Sequence, residues 1–216
     1  MKINELFDLE HTLAKDYLSS FNYGWEALSG ISQMIIELSE SLSAEYAELW
    51  DKVWVHKSVR LSEAAYIKGP CIIGEDSEIR HGAFIRGSVL IGEGCVIGNS
   101  TELKNSVLFD GVTVPHFNYI GDSILGYKVH FGAGAVTSNV KSDKTLITVK
   151  GISPIKTNLR KFGALVGDKT EIGCNTVLNP GTVIGKSCTV YPLSSVRGVI
   201  PDSYIYKSRD NIIRKE

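Results

Sequence analysis

From Val55 onward every sixth position is apolar: Val55, Leu61, Ile67, Ile73, Ile79, Ile85, Ile91, Ile97, Leu103 and Phe109. With about half of residues apolar, ten such positions in a row arise by chance roughly once in a thousand. Two further co-periods reinforce the pattern. The residue two before each member is mostly small (Ala65, Cys71, Ser77, Ala83, Cys95, Thr101), and the residue after it is often glycine, as in Ile73-Gly74, Ile91-Gly92 and Ile97-Gly98. The frame slips by one near Pro115 and resumes at Ile120-Gly121, Leu125-Gly126 and Phe131-Gly132. It returns as Val166-Gly167, Ile172-Gly173, Leu178, Ile184-Gly185, Val190 and Val196. Each hexad predicts one short strand and one turn: the aliphatic residue enters a narrow core, the small one turns the corner, and glycine permits unusual backbone angles. Three hexads close a triangular coil, and coils stack by parallel pairing into a solenoid.

Two segments depart from the hexad. In residues 1–50, Leu28, Ile31, Ile35, Leu38 and Leu42 recur at helical spacing, preceded by a shorter stripe of Leu6, Leu9, Leu13 and Tyr17. These helices are expected to shield the open edge of the first coil, as terminal caps of solenoids do. Between Asn139 and Phe162 the repeat gives way to a polar, basic stretch, and an insertion of that length in a regular solenoid points to function. The expected organisation is a mainly β chain: an N-terminal helical cap (1–50), a parallel β-helix (51–200) with a loop insertion at 139–162, and a basic tail (201–216).

Composition sharpens this picture. Glycine (21) greatly exceeds proline (6), and nine glycines directly follow an inward aliphatic residue, so they read as turn corners of the solenoid. The net charge of −1 supplies no basic excess for nucleic-acid binding. With no long apolar run and an early acidic residue in Met1-Lys2-Ile3-Asn4-Glu5, a cytoplasmic location is expected. Cys71, Cys95, Cys174 and Cys188 have no metal-site spacing and are expected as reduced thiols, and no metal is predicted.

The densest polar cluster lies where the frame slips: Glu102-Leu103-Lys104-Asn105, then Pro115-His116-Phe117-Asn118-Tyr119-Ile120-Gly121-Asp122, then Gly132-Ala133-Gly134 and Thr137-Ser138-Asn139. His116 and Asn139 are separated by about one coil plus a short offset, so stacking can bring them together with Arg86, Lys104 and Tyr119. A neutral imidazole suits proton removal from an amine.

These motifs resemble the acetyltransferase half of the bifunctional glucosamine-1-phosphate acetyltransferase and N-acetylglucosamine-1-phosphate uridyltransferase family, over roughly residues 70–209. The resemblance implies a left-handed parallel β-helix of the hexapeptide-repeat class, acetyl-coenzyme A as donor, and active sites between subunits of a homotrimer. It makes His116 the general base and puts Asn139 at the reacting amide. Arg86, Lys104 and Tyr119 would hold the sugar phosphate, while Ala133 and Arg209 would contact the cofactor. His130 stands where the family has a sugar-contacting asparagine, and Cys174 where a serine contacts the cofactor. Lys141 or Lys144 replaces a substrate lysine. The uridyltransferase half has no counterpart here. The implied function is acetyl-CoA-dependent N-acetylation of an amino-sugar 1-phosphate, with no nucleic-acid or membrane partner. The alternative is a non-catalytic β-helix that assembles or regulates a nucleotide-sugar enzyme. A zinc site on His81, His116 and His130 is a third, weaker reading.

Overall fold

The computed structural model describes residues 1–216. The hexads form short parallel strands wound into a coil with three faces. On the first face Val53–His56 pairs with Cys71–Ile73 and then Val89–Ile91. The second runs from Arg60–Leu61 through Val96–Asn99 and Thr113–His116 to Tyr204–Ser208. The third includes Phe84–Ile85, Val136–Thr137, Val177–Leu178 and Ser195–Val196. Inward aliphatic side chains such as Ile73, Ile85, Ile97, Leu125 and Ile172 build one continuous core along the axis. Each is worth about 1.5–3 kcal/mol on burial.

The small positions do more than save space. Ser77 Oγ donates to the Gly92 carbonyl (2.8 Å) and accepts from the Cys95 amide (2.9 Å). Thr170 repeats this with Gly185 (2.8 Å) and Cys188 (3.1 Å). A hydroxyl there satisfies backbone groups of adjacent coils that would otherwise be buried unpaired.

The glycines after the inward aliphatics have another cause than the one expected. Gly74, Gly132 and Gly173 do not adopt positive φ; a Cβ on each would fall 2.4–2.7 Å from backbone of the next coil. They permit coil-on-coil contact. The left-handed corner conformation is taken mostly by other residues, including Asp76, Ser100, Phe117, Lys128, Asn175 and Leu193.

The frame slips also fall elsewhere. Leu103 to Leu108 is one residue short, and so is Ile120 to Leu125, because the strands Glu102–Leu108 and Tyr119–Leu125 each run from the third face onto the first. Asn105 (φ 47°) and Asp122 (φ 48°) make these two tight corners. Pro115 lies within an in-frame strand, and Leu108 enters the core while Phe109 points outward.

The first face carries a second apolar layer. Ile72, Leu90, Val107, Ile124, Leu165 and Val183, each one residue before an inward member, project outward and are fully buried. What buries them is the N-terminal segment: helices α1 (Ile3–Leu6), α2 (Lys15–Ser19) and α3 (Ile31–Ser39), with 3-10 turns at Leu9–His11 and Gly24–Gly30. This corrects the end-cap expectation: the segment wraps a side face because that is where the outward apolar stripe lies. The stripe Leu6–Tyr17 is likewise not one helix but is broken at Phe7 and Thr12. Buried Asp168 fastens the wrap to the coil, accepting from the amides of Asp8 (2.8 Å) and Tyr127 (2.9 Å).

The insertion contributes to the same layer through Ile147, Val149 and Phe162, and it holds an antiparallel hairpin, Thr148–Val149 with Ile155–Lys156. Both ends of the solenoid finish in antiparallel strands: Tyr46–Trp50 pairs with Val53–His56, and Asn211–Arg214 pairs with Tyr204–Ser208. The basic tail is therefore a folded-back hairpin. No helix is long and apolar enough to cross a membrane.

Candidate active site

The site residues gather around the two short corners. Lys104 ends the third-face part of its strand and reaches the next coil, where its ammonium lies 3.2 Å from both carboxylate oxygens of Asp122. Asn105 donates its side-chain amide to Asp122 Oδ1 (2.9 Å) and to the Leu28 carbonyl of the N-terminal wrap (3.1 Å). Asn139, one coil further, donates to Asp122 Oδ2 and to the Tyr119 hydroxyl (3.1 Å). Asp122 is 5% exposed and is the hub, accepting from three side chains. Burial, and then the charges of Asp122 and Glu102, raise the Tyr119 phenol above its ordinary value.

This geometry fixes donor directions. Both hydrogens of the Asn139 amide are engaged, so the group it can offer a ligand is its carbonyl oxygen. Tyr119 accepts from Asn139, which leaves its own O–H to donate elsewhere. An oxyanion would therefore need donors other than the Asn139 amide in this geometry, such as the Tyr119 O–H or backbone N–H groups.

Arg86 stands beside this group. Its guanidinium donates to Glu102 Oε1 at 2.7 Å, and Glu102 is in register with Tyr119 on the adjacent strand. His116 sits at the corner between the second and third faces, exposed, with its backbone held by the Asn118 side chain (3.1 Å) and the Gly134 amide (3.0 Å). Its imidazole is free of protein hydrogen bonds. Phe117 beside it is 59% exposed and left-handed (φ 52°), a conformation disfavoured for a bulky side chain by roughly 1–2 kcal/mol.

Down the same corner, Gly134 follows His116 and Asn175 follows Ala133 through coil-to-coil hydrogen bonds. His116, Ala133 and exposed Cys174 thus form a column along one edge of the prism. His130 does not join it. It lies at the opposite end of the second face, in register with Thr113, and its Nδ1 is 2.6 Å from the Thr113 hydroxyl. Lys141 pairs with Asp143 (3.2 Å), and neither it nor exposed Lys144 bonds to the Asp122 cluster.

Further along, Leu193–Ser195, Arg197 and the hairpin residues Lys207–Arg209 line a cleft of about 530 Å³ with Lys150 of the insertion. Lys150, Arg197, Lys207 and Arg209 bring four cations there, and none has a carboxylate within 4 Å. This donor set suits phosphate groups. Sequence reasoning reached Arg209 alone; the other three come together only through the hairpin and the insertion. No three His, Cys, Asp or Glu side chains converge to hold a metal ion, so His81, His116 and His130 share no such site.

Parts of the chain match known proteins in sequence. Residues 67–157 match the family model described as the GMPPB C-terminal domain. The bifunctional protein GlmU of Methanococcus maripaludis is 31% identical over 112 residues, half of this chain and 27% of that protein. The chain is similar to GlmU over half its length. A bifunctional sugar-1-phosphate nucleotidylyltransferase/acetyltransferase of Sulfurisphaera tokodaii is 36% identical over 87 residues, 39% of this chain and 21% of that protein. These matches span about a quarter of the relatives' own length. Among solved structures, the acetyltransferase domain of PglB from Neisseria gonorrhoeae aligns with 86% of this chain and 67% of that one, at 19% identity and a TM-score of 0.42.

Proposed function

We propose that the chain is an acetyl-CoA-dependent N-acetyltransferase acting on an amino-sugar 1-phosphate. The observation that carries this reading is the unpartnered imidazole of His116, set on one corner edge with Ala133 and Cys174 and three residues before Tyr119 of the Lys104–Asp122–Asn139–Tyr119 cluster. The similarity to GlmU supports the same class of chemistry.

In this reading the amine lies against His116, and the sugar phosphate lies toward Arg86 and Lys104. A new N–C bond forms as the thioester C–S bond breaks; the amine proton passes to the imidazole, which returns it to the departing sulfur, so coenzyme A leaves as its thiol and the base is regenerated. The Asn139 carbonyl oxygen orients the amine through an N–H donor, and the Tyr119 hydroxyl donates toward the developing negative oxygen or the sugar. The four free cations of the C-terminal cleft take the phosphates of coenzyme A. Exposed Tyr66, Phe84 and Phe117 fit a site completed by a second copy in a trimer.

A coenzyme A-release screen over amino-sugar phosphates tests the assignment, with His116→Ala as the control. Release that depends on His116 supports it; undiminished turnover in the variant removes His116 as base. Co-purification of a separate nucleotidyltransferase, with no acetyl transfer to any amino sugar, would instead favour the assembly or regulatory role.

A further inference from the structure

The N-terminal wrap and the candidate site meet at one atom. The Leu28 carbonyl, in the turn Gly24–Gly30, accepts from the Asn105 amide, and the same Asn105 amide donates to Asp122. Asp122 in turn holds Asn139 and Lys104, and Asn139 holds Tyr119. We infer that Asn105 and Asp122 are positioning residues for acyl transfer, and that the N-terminal wrap completes the site by seating Asn105. This rests on the catalytic reading above for its kinetic consequence, but the structural link stands apart from it.

Three observations carry the inference. First, the chain is continuous: every step from Leu28 to Tyr119 is a hydrogen bond, and the carboxylate at its centre is shielded from water. A buried carboxylate with three donors orients all three, because moving any one leaves charge uncompensated in a low-dielectric setting. Second, the two hubs are the left-handed residues at the two shortened corners, where asparagine and aspartate tolerate a backbone that other side chains resist. One residue missing from the repeat at each corner turns a side chain that would have stacked outward into the seam between coil and wrap. Third, the wrap is held tightly above this seam. A Cβ on Gly24 would lie 2.9 Å from Leu165, and Trp25 and Leu28 are buried in the layer that includes Ile124 and Leu165.

The physical effect is orientation. With Asp122 in place, both Asn139 amide hydrogens are engaged and its carbonyl oxygen is left as the acceptor; the Tyr119 hydroxyl is left as a donor. Without the Asn105 link, Asp122 keeps its charge partners but loses the contact that ties it to the wrap. A shift of about 1 Å in groups that orient reactants is enough to reduce turnover up to a hundredfold.

The test uses the full chain with Asn105→Gly, which removes the amide while keeping the left-handed backbone accessible, and Asp122→Asn as a second variant. Three measurements are made: acetyl-transfer kinetics, hydrogen exchange of the amides in 24–30, and phenol titration of Tyr119 isolated by difference against Tyr119→Phe. Expected for Asn105→Gly are a kcat lowered roughly tenfold or more with an unchanged KM for acetyl-CoA, and faster exchange in 24–30. For Asp122→Asn the Tyr119 titration moves to lower pH, because a neighbouring negative charge has been removed. Unchanged kcat in Asn105→Gly overturns the positioning role, and unchanged exchange in 24–30 overturns the link to the wrap. If the wild-type chain acetylates no amino sugar, the catalytic reading fails by itself; exchange and titration then still decide whether the network exists. Should Asn105→Gly not fold, Asp122→Asn carries both decisions: unchanged kcat or an unmoved Tyr119 titration overturns the positioning role, and unchanged exchange in 24–30 overturns the link to the wrap.

Discussion

The two basic regions of this molecule are built in opposite ways. Around the short corners every cation nearest the candidate site already has a carboxylate: Arg86 with Glu102, Lys104 with Asp122. In the C-terminal cleft Lys150, Arg197, Lys207 and Arg209 have none. Paired cations are held in one place and orient neighbours, and a ligand must exchange with the existing partner. Unpaired cations in a cleft repel one another and gain most from an arriving anion. In the proposed reaction the corner cluster is thus the orienting part of the site, and the cleft is the anchoring part.

The largest effect that separates them is expected from His116→Ala, which should lower kcat by roughly a hundred- to ten-thousandfold while leaving the KM for acetyl-CoA near its wild-type value. Steady-state coenzyme A release checks this. Next comes stability. Lys104→Met strands the buried Asp122 carboxylate and should destabilise the fold by about 2 kcal/mol, less than for a fully buried pair because Lys104 keeps 26% exposure. Lys207→Met in the cleft should change stability by no more than about 0.5 kcal/mol. Denaturant unfolding of both variants breaks the comparison if the two losses are equal. Arg197→Ala and Arg209→Ala together should raise the KM for acetyl-CoA by roughly tenfold with kcat retained, and added salt should reproduce part of that loss. The smallest effect is chemical labelling. Burial pushes the Cys95 thiol up to about 12 and Cys71 higher still, so both should resist iodoacetamide at pH 8. Exposed Cys174 should react, and acetyl-CoA should slow it; mass spectrometry of the labelled peptides reads the difference.

Most of the solenoid was legible because an inward aliphatic side chain every six residues leaves a direct mark on the sequence. Its second apolar layer was legible too, had the period been read at one coil: Ile72 and Leu90 are eighteen residues apart, and Val107 and Ile124 continue the stripe with the shortened corners. That stripe announces a covered face. It also explains why helices read as an end cap lie along a side. Asp122 stood inside the densest polar cluster without a role, since nothing local tells a solvated aspartate from one enclosed by three donors. His130, expected beside substrate from the resemblance alone, lies by strand register at the far end of the second face against Thr113, and only a second copy could bring it to the His116 edge.

By itself, then, the sequence determined the coil, its core and the short list of residues proposed for acyl transfer, because periodic burial and side-chain type are local properties. Tertiary structure alone decided which of them meet. Asn105 reaches Leu28 across seventy-seven positions, and the cleft joins Lys150 to Arg209 through an insertion and a folded-back hairpin. Such partnerships depend on where a loop packs and how a corner turns, and a six-residue period records neither.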